Sequence, residues 1–128
     1  MTGSFKFKPA ERLGLDLEIR ELLRNGRREA DEWLVLYSAE PSKKEPDSGS
    51  FSQRRLAIRV PRKLGDAVRR NRAKRILREI FRREKWNIRE RTDLLVVVKS
   101  FPAGKKALLE VRSRFIGLCI KSGIWQKP

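Results

Sequence analysis

The stretch Gly65–Arg83, GDAVRRNRAKRILREIFRR, decides how the rest of the chain is read. Stepping about 100° per residue from Arg70 gathers Ala73, Ile76, Leu77, Ile80 and Phe81 into one arc, the apolar stripe of an amphipathic helix. Arg70, Lys74, Arg78, Arg82 and Lys85 are assigned to the outward side, with Arg75 at its margin and Asn71 in its middle. The reading is a helix over roughly residues 66–86 that is anchored by its apolar face and presents cations to solvent. Between Arg62 and Lys85 there are eleven basic and three acidic residues, a surplus of eight that makes up half of the chain's formal +16. Carboxylates three or four residues away are too few to neutralise that face, and a polyanion would relieve its repulsion. Arginine outnumbers lysine here, which suits forked contacts to phosphate. Asn71 adds a donor and an acceptor that arginine lacks, fit for a 2′-hydroxyl or a base edge. In the lead-in, Gly65 turns the chain from strand to helix, and Arg62 and Lys63 stand beside the backbone N–H groups of a helix start, a phosphate seat.

On either side of this helix the pattern predicts a small mixed fold. Leu15, Ile19, Leu22 and Leu23 recur at helical spacing behind Asp16, and Asn25-Gly26 ends that helix, with glycine expected in a left-handed turn. EWLVLYSA, residues 32–39, reads as a strand with Trp33, Val35 and Tyr37 on one face and Leu34 and Leu36 on the other. Residues 40–53 are rich in Pro, Ser, Gly and Asp and read as a mobile loop. RRLAIRV, from Arg54, alternates Leu56, Ile58 and Val60 against Arg55, Ala57 and Arg59; this predicts a sheet covered by helices on one side and wet on the other. Pro61 ends that strand. TDLLVVVKS, residues 92–100, is apolar nearly throughout and reads as a central strand. Phe101-Pro102 opens a last helix with Leu108, Val111, Phe115, Leu118 and Cys119 on one face, widened by Leu109, Ile116 and Ile120. The organisation expected is a basic arm over residues 1–10, one domain over 11–124 and a tail over 125–128.

Composition narrows the chemistry. The chain has 128 residues, 32 Lys plus Arg against 16 Asp plus Glu, and a pI near 11.1. Such a field favours nucleic acid over an anionic membrane. Histidine is absent, and with it the usual general acid–base group near neutral pH and the common zinc ligand. The single cysteine, Cys119, allows no internal disulfide and fits a reducing cytoplasm. There is no phosphate-binding P-loop and no nucleophile elbow. The amino terminus has no apolar run of a secretory signal, and the longest apolar run, Leu94–Val98, is far short of the roughly 20 residues of a membrane span; the chain is read as soluble. Chemistry must come from carboxylates holding metal or from a partner. Asp16, Glu18 and Asp93 are candidates for metal, but their spacing specifies no site.

The run Arg62–Arg82 resembles the signature of the bacterial ribonuclease P protein component. The family pattern K-x-G-x-A-V-x-R-N-x-x-K-R is met by Lys63, Gly65, Ala67, Val68, Arg70, Asn71, Lys74 and Arg75, with Arg78-Glu79 and Phe81-Arg82 following. The resemblance extends over Arg12-Leu13, the Asn25-Gly26 stop and the strand ending in Tyr37. It implies an α+β class, a small single-domain α/β sandwich of order α-β-β-α-β-α with a left-handed β-α-β crossover. It also implies the function: the protein subunit of an endoribonuclease that removes the 5′ leader of precursor tRNA. Catalysis belongs to the RNA subunit, with no catalytic residue in the protein, and Mg²⁺ is held mainly by RNA and substrate. Contacts to the catalytic RNA are expected from Arg62, Lys63, Gly65, Arg69, Arg70, Asn71, Lys74, Arg75, Arg78 and Arg82. A leader cleft is expected from Arg12, Ile19, Leu23, Trp33, Tyr37, Arg55 and Arg59. Ile19 and Leu23 stand where relatives often carry phenylalanine; Trp33 and Tyr37 either stack bases from the sheet or pack in the core. The implied assembly is one protein with one catalytic RNA and precursor tRNA, in the cytoplasm and without a membrane. The other reading of the same stripe is a non-catalytic RNA-binding protein of the ribosomal or assembly class. DNA binding is disfavoured because a strand, not a partner helix, precedes the basic helix.

Overall fold

A computed structural model describes residues 12–14, 16–39 and 54–126. The expected basic arm, the 40–53 loop and Leu15 lie outside these residues. The elements run α1 Asp16–Asn25, β1 Arg27–Ala30, β2 Leu34–Ala39, β3 Arg55–Arg59, α2 Ala67–Glu84, β4 Asp93–Val98 and α3 Ala107–Lys121. The expected order α-β-β-α-β-α is present, with β1 as a short addition at the edge. Its sequence, RREA, has little strand propensity; pairing makes it a strand, with Arg27 opposite Ser38 and Ala30 opposite Val35. The turn before β2 is built by Asp31, whose Oδ1 accepts the N–H groups of Trp33 at 2.8 Å and Leu34 at 2.9 Å.

The sheet has the order β1-β2-β4-β3. β4 is central, as its apolar run predicted, antiparallel to β2 and parallel to β3. The parallel pair is joined through α2, so the basic helix is itself the crossover. Leu34, Leu36, Leu56, Leu94, Val96 and Val98 face Leu77, Ile80 and Phe81 of α2 and Val111, Phe115 and Leu118 of α3. This is the main core.

The opposite sheet face is not wet. Leu13 with Ile19 and Leu22 of α1 packs on Ala57 and Leu95, flanked by Tyr37 and Val97. Burying Ile19 and Leu22 contributes about 1.5–3 kcal/mol each, enough to hold a short helix across the strands. The alternation in β3 concealed this because Ala57, between two arginines, is small enough to sit under α1.

Two helix boundaries differ from expectation. Gly26 is not in a left-handed conformation. Its hydrogen is needed because a Cβ there would lie 2.5 Å from the Leu22 carbonyl oxygen, which accepts the Gly26 N–H. Phe101-Pro102 precedes α3 by several residues and forms a loop instead. Leu109 and Ile120 stay 66% and 57% exposed and do not widen the buried stripe. Trp125 and Gln126, expected in a tail, belong to the fold: Trp125 bridges Ile88, and the Gln126 N–H donates to the Asn87 carbonyl at 2.7 Å. Among the described residues no helix is long and apolar enough to cross a membrane.

Candidate nucleic-acid interface

The basic helix starts at a turn that only glycine tolerates. Gly65 has φ +137°, and a Cβ on it would meet Arg69 Cδ at 2.8 Å. Asp66 caps the helix, its Oδ1 accepting the Arg69 N–H at 3.0 Å. The N–H groups of Leu64 and Gly65 donate to Pro61 and Arg62 carbonyls. The Asp66 carboxylate thus takes one first-turn N–H group for the chain itself and sets a negative charge at that end of the helix. Beside it stands the exposed pair Arg62 and Lys63.

Along the helix, Ala73, Leu77, Ile80 and Phe81 are buried and Ile76 partly so, as the period predicted. Arg69, Asn71, Arg75 and Arg78 are exposed, and Arg70 and Lys74 are half-buried at the margin of the core. Arg70 Nε donates to the Gly65 carbonyl at 3.2 Å. Among the described residues, Arg62, Lys63, Arg69, Arg70, Lys74, Arg75 and Arg78 form no ion pair with a carboxylate. The far end differs. Glu79 pairs with Arg82 at 2.6 Å and with Arg83 at 2.7 Å. The Arg82 hydrogen bond above all, and then that of Arg83, holds the Glu79 carboxyl below its ordinary range despite some desolvation. Lys85 is not on the outward stripe: helical dihedrals continue through it, four residues on from the buried Phe81, and it is 1% exposed, with Nζ 5.3 Å from the centre of the Trp86 ring.

Between α1, the edge strand β3 and α2 lies a groove of about 360 Å³. Leu56–Ile58 of β3, Ile19 of α1 with Gly14 before it, and Lys74 and Arg78 of α2 line it, together with the exposed Arg12 and Arg59. The segment carrying Arg12 is placed by a sheet-like contact, the Leu13 N–H donating to the Leu56 carbonyl at 2.9 Å. No Asp or Glu is among the described residues lining it. Two sets of residues that the sequence kept apart, the helix signature and the expected cleft, thus meet in one cationic groove.

The remaining expected cleft residues are dispersed. Tyr37 is half-buried on the same sheet face, against the cluster under α1. Leu23 is 39% exposed and outside the groove. Arg55 is committed elsewhere, to Asp93 at 2.7 Å and Glu18 at 2.9 Å, and the Asp93 hydrogen bond raises its already high pKa. This arrangement also uses Glu18 and Asp93, two of the three carboxylates that had been candidates for metal; among the described residues no three acidic or cysteine side chains form a metal site. Trp33 turns to the opposite side of the sheet, where it packs on the main core under the Arg114 guanidinium, 3.7 Å from its ring centre. The Asp31 turn sets Trp33 outside β2, so the strand alternation did not apply to it. Burial, before the nearby Glu84 charge, pushes the Cys119 thiol up, so it is no nucleophile.

Sequence reasoning missed the tie between Arg72 and the loop before α3. Arg72 donates to the carbonyls of Pro102 at 3.2 Å and Gly104 at 2.8 Å. No local pattern signals a contact between residues 30 positions apart.

The geometry agrees with the comparisons. The Ribonuclease P family model matches residues 7–118. The ribonuclease P protein component of Bacillus pumilus is 28% identical over 94% of this chain and 94% of its own. The RNase P protein of Staphylococcus aureus superposes with a TM-score of 0.72 at 23% identity, covering 91% of this chain and 98% of its own. That of Thermotoga maritima gives 0.65 at 30% identity over 87% and 96%. With most of its length matched by the family and its fold shared, the chain belongs to the ribonuclease P protein component family.

Proposed function

We propose that this chain is the protein subunit of ribonuclease P, acting in the cytoplasm as one protein on one catalytic RNA. It binds that RNA and the 5′ leader of precursor tRNA, and so assists Mg²⁺-dependent removal of the leader. The observation that carries the reading is the groove, with no Asp or Glu among the described residues lining it, to which Lys74 and Arg78 of the helix signature and Arg12 and Arg59 all contribute. Phosphates entering it would exchange counterions for fixed cations, a gain that falls steeply with salt. The exposed ridge of Asn71 and Arg75 beside the groove extends the contact to structured RNA. The chain's own groups bind and orient; hydrolytic chemistry is assigned to the RNA subunit, with Mg²⁺ held mainly by RNA and substrate. This suits a chain without histidine and without a metal-ligand cluster among its described residues.

The test adds the full chain to a bacterial catalytic RNA and precursor tRNA at low Mg²⁺. Faster release of the 5′ leader is expected. No stimulation, with the protein folded and in excess, would overturn the proposal.

A further inference from the structure

The flank of α2 facing away from the groove carries a second concavity. It measures about 480 Å³, within the roughly 300–1,000 Å³ of small-ligand sites. Its walls are Val60, Leu64, Ala73, Phe101 and Pro102. Three cations, Arg69, Arg72 and Lys105, stand among its lining residues, and no Asp or Glu does among those described. Arg72 clamps the 101–105 loop to the helix through the Pro102 and Gly104 carbonyls, so the wall is formed before any ligand arrives. Phe101 is itself fixed, half-buried against the main core. Arg69 keeps its place because Gly65 has no side chain to displace it.

A purely phosphate-binding surface needs no apolar wall, and a purely apolar ligand needs no cations. Together they suit an anion with a flat ring attached. A base within a duplex cannot enter such a hollow, whereas an unpaired one can be splayed out and stacked on an aromatic ring or a guanidinium plane. We infer that the pocket between α2 and the 101–105 loop seats one unpaired nucleotide of the partner RNA, its base against Phe101 and Pro102 and its phosphate toward Arg69 and Lys105. The inference rests on the reading of this chain as an RNA-binding subunit and adds to it a site on the other side of the helix.

Two measurements test it. In the isotope-labelled full chain, adenosine and uridine 5′-monophosphate are expected to shift the resonances of Val60, Leu64 and Phe101–Lys105. Inorganic phosphate is expected to move Arg69 and Lys105 and leave Phe101 in place. Nucleotide shifts confined to Arg59, Lys74 and Arg78, or identical responses to nucleotide and phosphate, would overturn the site. In the second, Phe101→Leu keeps most of the packing volume and removes the ring. Binding to catalytic RNA should weaken by about five- to tenfold, within the range of a lost base–aromatic stack, with an unchanged salt slope because no charge is removed. Equal affinity in the folded variant would overturn it. The two readings fail separately. Wild-type protein that matures precursor tRNA but shows neither effect loses only this pocket. Nucleotide shifts at Phe101 without any stimulation of leader removal lose only the proposed subunit function.

Discussion

The two ends of α2 have similar composition and opposite electrostatic surroundings. Up to Arg78 its cations face solvent, the groove or a backbone carbonyl, and among the described residues none meets a carboxylate. From Glu79 onward the charges are closed on one another. Arg82 and Arg83 share Glu79; Glu84, 7% exposed, holds Arg112 at 2.7 Å and accepts a hydrogen bond from Asn87; Lys85 is buried. Counting cations along the sequence treats these ends alike. A charge already paired has little left to give a phosphate, so under the proposed function the RNA-facing part of the helix would end near Arg78.

The strongest attempt to break this contrast is Arg70→Ala, Lys74→Ala and Arg75→Ala together. Affinity for catalytic RNA should fall on the order of a hundredfold, and the slope of log affinity against log salt should flatten by about three. Thermal unfolding should change little, since none of the three pairs with a carboxylate among the described residues and only the Arg70 hydrogen bond to the Gly65 carbonyl is given up. An unchanged salt slope would move the interface elsewhere.

Gly65→Ala probes the hinge that orients the open end. It forces a side chain into a left-handed conformation and against Arg69, at a cost of about 1–3 kcal/mol of stability. RNA affinity should drop several-fold in the folded fraction because Arg69 is displaced. A neutral unfolding midpoint would show that the turn relaxes freely.

Glu84→Gln tests the closed end. Loss of the charge-assisted bond to Arg112 should lower stability by about 1–2 kcal/mol, measured by denaturant unfolding, while RNA affinity stays within about twofold. A large affinity loss would mean that the closed end also meets RNA.

Glu79→Gln should have the smallest effect and the opposite sign. It releases Arg82 and Arg83, so RNA affinity should rise by about two- to threefold with a steeper salt slope. The pair also carries a pH signature. Because the folded-state pKa of Glu79 is depressed, its stabilising contribution is present above the usual glutamate range and is lost as pH falls through the lower folded value. The small stability advantage of the wild type over Glu79→Gln should therefore be present at neutral pH and vanish on acidification. An advantage that grew as pH fell would contradict the ion pair.

Much of this was legible in one dimension because it depends on local periods. The helix of period 3.6 announced the buried stripe of Ala73, Leu77, Ile80 and Phe81, the continuous apolar run announced β4 as central, and Gly65 marked the turn from strand to helix before α2. The signature around Arg70, Asn71, Lys74 and Arg75 pointed to the family. What lay beyond reach were the long-range meetings. Whether Ala57 would be covered by α1, whether Trp33 would turn to Arg114, whether Arg82 would be free or bound to Glu79, and whether Arg72 would reach Pro102 depend on how separate elements pack. A side chain's direction follows from its own residue's backbone, but its partner is chosen by the packing of the whole chain. That is why cations equivalent in the sequence divide, once folded, into those that meet no carboxylate among the described residues and those paired within the protein.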